Sequence, residues 1–61
     1  MAQITSKELT ALEDLLGAES VLAAKYRANA TETQDAALKD CYTQMAGRHQ
    51  RHFDELFANL K

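Results

Sequence analysis

Three side chains of this chain, Glu19, His49 and His52, are of types that bind metal ions and stand at spacings that could bring them together. The two histidines are three residues apart, so on a helix they would share one face. Imidazole suits zinc, copper, iron and nickel, and a mixed imidazole and carboxylate set suits iron, zinc or manganese. The candidate metal ligands are therefore Glu19, His49 and His52, and the candidate cofactor is iron, zinc or manganese.

All three residues occupy positions where the hydrophobic pattern predicts an apolar side chain. Position 19 falls between Leu16 and Ala23 in the first half of the chain. Positions 49 and 52 fall between Met45 and Leu56 in the second half. A carboxylate in an apolar seam is costly unless it is paired, hydrogen-bonded or bound to a metal. The pattern thus indicates that the three polar groups satisfy one another or share an ion.

The elements that must position these residues are two long amphipathic helices. Proline is absent, and apolar residues recur at alternating steps of three and four, which is the period of a helix packing face. Thr5 and Glu8 have the spacing of a capping box, which predicts a first helix from about residue 5 to about residue 30. Its stripe consists of Leu9, Leu12, Leu16, Ala23, Tyr26 and Ala30, widened by Leu15 and Leu22.

A polar stretch at residues 31–35 interrupts the apolar period and predicts a turn. Asp35 is a suitable N-cap for a second helix over about residues 35–60. So short a turn makes the two helices an antiparallel hairpin, and a turn centred near residue 34 places Glu19 level with His49. The second stripe consists of Leu38, Tyr42, Met45, His49, His52 and Leu56, flanked by Cys41, Phe53, Phe57 and Leu60.

The length of the chain predicts a single domain, residues 1–61, with a limited core. Such chains commonly depend on disulfides, metal or oligomerisation. Cys41 is the only cysteine, so it is either a small core side chain or a link between two chains. Two hairpins can cover their apolar faces by forming a four-helix bundle. We therefore expect an all-α hairpin that forms a homodimer or a higher assembly of dimers, with a two-helix monomer as the alternative.

The charge and hydropathy patterns argue against several classes of function. The formal net charge is −2, and no basic patch stands out, so we expect no nucleic-acid partner. No apolar run approaches the roughly 20 residues of a membrane span, so we expect no membrane partner. Residues 1–5 lack the charged-then-apolar pattern of a signal peptide, so we expect a cytoplasmic protein that is not secreted by that route.

Three interpretations of the polar residues in the stripe remain open on these grounds. One is a metal site formed by Glu19, His49 and His52. Another is a metal-free cluster of the same side chains in which Tyr26 or Tyr42 takes part. The third is a solvated end of the bundle where the histidines matter little.

Parts of both helices resemble rubrerythrin-type ferritin-like proteins. The sequence Gly-Ala-Glu-Ser at residues 17–20, with Tyr26 seven residues after Glu19, resembles the first helix of that family, in which a metal-binding Glu precedes a Tyr. Residues 49–60 resemble the helix that carries its Glu-x-x-His motif, with His52 at the place of the motif's His. The resemblance implies a ferritin-like four-helix bundle completed by a dimer. His49 stands where the family has Glu, which argues against a normal carboxylate-bridged di-iron centre.

The chain also resembles, over nearly its whole length, small spore coat proteins of the coat F type. This resemblance implies a location in the spore coat and other spore coat proteins as partners. The motifs that carry it are Lys7-Glu8-Leu9, Glu13-Asp14-Leu15-Leu16, Lys25-Tyr26 and His49-Gln50-Arg51-His52-Phe53.

The favoured function is accordingly a non-enzymatic structural role, in which the chain self-associates as a four-helix bundle and uses the Glu/His site for stability. The absence of a nucleophile constellation and of a phosphate-binding loop agrees with this role. The alternative is a minimal ferritin-like metal-binding protein with oxidase, peroxidase or metal-storage activity, which needs open coordination positions and a redox-active metal. A bundle that loosens when the histidines are protonated is a further hypothesis.

Overall fold

A computed structural model describes residues 4–60 as two α-helices that pack against each other. Helix α1 spans Ser6–Glu32 and helix α2 spans Ala36–Ala58. The prediction of an all-helical hairpin is confirmed, whereas a four-helix bundle lies beyond what a single chain can display. Helix α1 continues to Glu32, so the connection is shorter than the expected turn at residues 31–35.

Both helix starts follow from local hydrogen bonding, as predicted. The Thr5 hydroxyl accepts a bond of 3.0 Å from the amide of Glu8, and the Glu8 carboxylate accepts one of 3.0 Å from the amide of Thr5. At the second helix the Asp35 carboxylate accepts a bond of 3.0 Å from the amide of Leu38. These caps satisfy amides that the first turn of a helix leaves without intrahelical partners.

The connection between the helices is held by Thr33. Its backbone is extended, which ends α1, and its amide donates to the carbonyl of Asn29. Its hydroxyl accepts a bond of 3.2 Å from the amide of Asp35, the cap of α2. One residue thus links the end of the first helix to the start of the second, and this fixes the register of the hairpin.

The buried side chains of residues 4–60 form one narrow seam between the helices. Leu16, Ala23 and Ala30 recur every seven residues along α1, and Ala46 is their counterpart on α2. A spacing of seven returns to nearly the same side of a helix, so the seam follows the predicted stripe. The prevalence of alanine means that little apolar volume is enclosed.

The hairpin is a rod with much exposed surface. Its extents are 46 × 15 × 11 Å and its radius of gyration is 14.3 Å, against about 10 Å for a compact chain of this length. It exposes 4678 Å², whereas a compact monomer of 6.8 kDa exposes about 3,950 Å². The excess of roughly 700 Å² is close to the share of one partner in a standard protein interface.

Several predicted stripe residues lie outside the seam. Cys41 is exposed, so its interpretation as a small core side chain is wrong for the hairpin. Leu38 and Phe57 are exposed by 46% and 45%, although the Phe57 ring stacks on Phe53 with centroids 6.0 Å apart. The stripe is wider than one opposing helix can cover, because a single neighbour shields only a narrow strip of a helix surface.

Neither glycine is required for a close helix approach. A methyl group at Gly17 would meet nothing within 4 Å, and one at Gly47 would meet only the Arg51 guanidinium, at 3.9 Å. Both residues have ordinary helical backbones. Neither position therefore requires glycine in order to make room for the opposite helix.

Neither helix of the described residues has the length and apolar character that crossing a bilayer requires. The expectation of no signal peptide rests on residues 1–5, and residues 1–3 lie outside the described part of the chain.

Candidate functional site

The two helices bring Glu19, His49 and His52 together near the middle of the hairpin. Glu19 is carried to the seam because it lies between the buried residues Leu16 and Ala23 on α1. His49 and His52 face Glu19 from α2, because the short turn determines which residues of the two helices lie opposite each other. The structure therefore places all three predicted site residues in one cluster, hereafter the Glu/His cluster.

A single carboxylate contacts both imidazoles of the Glu/His cluster. His49 Nδ1 lies 2.5 Å from Glu19 Oε1, and His52 Nδ1 lies 3.1 Å from Glu19 Oε2. An ionised carboxylate only accepts hydrogen bonds, so both contacts require a proton on Nδ1 of each ring. In a neutral imidazole this tautomer leaves the lone pair on Nε2.

Burial is graded across the cluster. The Glu19 and His49 side chains are exposed by 18% and 16%, whereas His52 is exposed by 45%. The sequence pattern predicts seam positions for both histidines, and only His49 is deeply placed. His52 is at the edge because the seam is one helix wide, and this leaves the cluster accessible from one side.

Aromatic rings fix the orientation of His49. The Tyr26 ring is nearly parallel to the His49 ring, at 8°, with centroids 5.7 Å apart. Tyr42 stacks in turn on Tyr26, with centroids 6.1 Å apart. His52 meets His49 edge-on, with centroids 5.7 Å apart and an angle of 86°. Both tyrosines named in the metal-free interpretation thus contribute through ring packing.

Hydrogen bonding from the histidines changes the acidity of Glu19. The bond from His49 lowers the pKa of the Glu19 carboxyl below its ordinary value of 4.5, against the opposing effect of burial, and His52 adds to the lowering. Donors directed at the charged form of a carboxyl stabilise that form. The cluster therefore holds Glu19 ionised, which is the state in which it can bind a cation.

The stability of the metal-free hairpin should fall in acid because of this pKa. A lowered folded-state pKa gives a stabilisation that is complete above the ordinary value of 4.5 and disappears as the pH falls through the lowered value. In the presence of a chelator, wild type should exceed Glu19→Gln in free energy of unfolding at about pH 6, and the difference should shrink as the pH falls below 4.5. An equal difference above and below this pH, measured by urea denaturation, would refute this role of Glu19.

The atoms of the cluster also fit a metal ion. One ligand atom from each of the three residues can be chosen so that all lie within 4.8 Å of one another. Zinc binds imidazole nitrogen and carboxylate oxygen at about 2.0–2.2 Å, which places tetrahedral neighbours about 3.4 Å apart. For direct binding through Nδ1, each ring would carry its proton on Nε2 instead, and the Nδ1–Oε distances of 2.5 and 3.1 Å would widen by less than about 1 Å.

A groove adjoins the exposed side of the cluster. It has a volume of about 330 Å³ and is bounded by Leu15, Glu19, His52, Glu55, Leu56 and Asn59. Neither Glu55 nor Asn59 is among the predicted site residues. The sequence does hold one indication of this position for Glu55. It lies three residues after His52 and is therefore beside it on the helix surface.

Comparisons with protein-family models, curated proteins and solved structures found no match to the chain. The resemblances to ferritin-like and spore coat proteins therefore stay predictions.

Proposed function

We propose that this protein is a non-enzymatic assembly unit, a helical hairpin that pairs with a second copy of itself and is stabilised by a metal ion at the Glu/His cluster. The observation that carries the proposal is the mismatch between the apolar stripe and the seam. Only Leu16, Ala23, Ala30 and Ala46 are buried among residues 4–60. Leu9, Leu15, Val21, Leu38 and Phe57 remain exposed by between 39% and 65%.

The surface that fits a second copy is an apolar flank of α1, defined by Ala11, Leu15, Ala18 and Leu22. These residues follow steps of four, three and four, so they form a continuous stripe. The first three are exposed and Leu22 is partly so. Leu15 also borders the groove beside the cluster, so a partner seated on this flank would cover the open side of the Glu/His cluster.

The small core and large exposed surface of the hairpin support pairing with a second copy of the chain. The two helices enclose only a narrow seam, and the surface excess of roughly 700 Å² is about what one subunit loses in a standard interface. Pairing two hairpins gives a four-helix bundle, in which the apolar faces of all four helices are directed into a shared core. A spore-coat role, as the sequence resemblance implies, would use such a unit for assembly with itself and with other coat proteins.

Sedimentation equilibrium tests the assembly directly. Wild-type protein, purified without a His tag and loaded with zinc, should sediment at twice the chain mass of 6.8 kDa or a higher even multiple at concentrations of about 10 µM and above. A mass of one chain throughout the accessible concentration range would overturn the proposal.

A second candidate function, metal-dependent oxidation or metal storage, is favoured by one observation. The exposed His52 side chain and the adjoining groove leave a path by which a small molecule could reach a metal at the cluster. Protein loaded with iron would then catalyse peroxide-dependent oxidation of a dye, with turnover lost in His52→Ala. Stoichiometric iron without any turnover would leave the assembly role as the better account.

A further inference from the structure

We infer that Glu55 is a fourth protein ligand of the metal ion, closing a coordination sphere that Glu19, His49 and His52 leave open. This inference rests on the metal binding proposed above and deepens it. Structural zinc sites almost always have four protein ligands, whereas three ligands leave a position for water or substrate. The identity of the fourth group therefore decides which type of site the hairpin carries.

Position is the first argument for Glu55. It borders the same groove as Glu19 and His52, on the side where the cluster is open. His52 and Glu55 are three residues apart on α2, and side chains at this spacing are neighbours, with Cβ atoms about 5–6 Å apart. A glutamate has three side-chain torsions, so its carboxylate can turn toward the His52 imidazole without movement of the helix.

The second argument is that, within residues 4–60, no hydrogen bond or ion pair engages the Glu55 carboxylate. Asn59, the neighbour one turn on, donates its side-chain amide to the backbone carbonyl of Glu55 at 3.0 Å and not to the carboxylate. By contrast, the carboxylate of the preceding residue, Asp54, accepts a bond of 3.1 Å from Gln50. The Glu55 carboxylate can therefore turn into the groove without breaking a hydrogen bond or ion pair to another residue of the described part of the chain.

Charge is the third argument. Glu19 and Glu55 together balance the two positive charges of a divalent ion, while two neutral imidazoles complete the set. Glu19 and Glu55 border the same groove, beside the apolar side chains of Leu15 and Leu56. Two imidazoles and two carboxylates form a donor set that suits zinc, iron or manganese.

Zinc affinity of single variants tests the assignment, with a chromophoric chelator as competitor. Glu55→Gln should weaken zinc binding about tenfold or more, since even partners that only hold a ligand in place contribute 10–100-fold. Asp54→Asn removes the same charge one residue away and should stay within about a factor of two of wild type, as expected for an exposed charge. Substitution by cobalt adds a spectroscopic measurement, because its visible bands report coordination number and should change in Glu55→Gln alone.

The outcomes separate this inference from the proposed function. If wild type binds no zinc, both the metal site and the role of Glu55 are wrong. If wild type binds zinc and Glu55→Gln has the same affinity and the same cobalt spectrum, only the Glu55 assignment is wrong, and water or a partner chain supplies the fourth ligand. An equal loss of affinity in Glu55→Gln and Asp54→Asn would also overturn it, because general electrostatics would then suffice.

Discussion

Zinc at about a thousandfold excess over its Kd should raise the melting temperature of the wild-type protein by about 15 °C or more. Binding to the folded state alone contributes about 4 kcal/mol at this excess. In a chain of about 60 residues each kcal/mol shifts the midpoint by roughly 4–8 °C. Glu19 and His49 are 30 residues apart on different helices, so the unfolded chain holds no preformed site. Metal binding is then coupled to formation of the hairpin.

A matched pair of glutamates separates the site from unspecific binding. Glu19→Gln should remove the zinc-dependent shift, because it deletes the carboxylate that contacts both imidazoles. Glu13→Gln makes the same chemical change at an exposed position of α1 and should retain the shift. Thermal melting followed by circular dichroism, with zinc and with chelator, gives all four values. The same zinc shift in both variants would show that the metal binds elsewhere.

Leu15→Glu should weaken self-association by about a hundredfold or more. Burial of a leucine side chain contributes about 1.5–3 kcal/mol, and each 1.4 kcal/mol is a factor of ten in Kd. A glutamate at this position would also place an unpaired charge in the interface. Leu15 is exposed by 51% in the hairpin, so the substitution should leave the fold of a single chain intact.

Val21→Glu is the control for this prediction. Val21 is on the same helix and is exposed by 65%, and its spacing from Glu19 and Ala23 places it on the opposite side of α1 from the seam. Sedimentation equilibrium should show a shift toward single chains for Leu15→Glu and none for Val21→Glu, at equal helix content. Equal dissociation of both variants, or of neither, would contradict pairing through the apolar flank.

Much of the fold could be predicted because local chemistry specifies it. The capping box of Thr5 and Glu8 and the cap at Asp35 are encoded within four residues each, so their spacing is visible in the sequence. Because the starts of both helices and the short turn are fixed, helix geometry alone places Glu19 opposite His49. The contact between these side chains agrees with that prediction.

The burial of individual side chains could not be predicted, because it depends on how each helix is rotated about its own axis. A stripe shows which side of a helix is apolar, but not how much of that side one neighbour covers. Cys41 and Leu38 lie just beyond the covered strip, and His52 lies at its edge. The position of Glu55 at the groove has the same origin, since it depends on which residues of α2 lie opposite Leu15.

Native mass spectrometry of the untagged wild-type protein, expressed with iron and zinc in the medium, tests the central claim most directly, because one spectrum gives both the number of chains and the number of bound ions. The account predicts an assembly with an even number of 6.8 kDa chains and one metal ion for each Glu/His cluster. A single metal-free chain as the sole species, at concentrations where other dimers of this size persist, would contradict it.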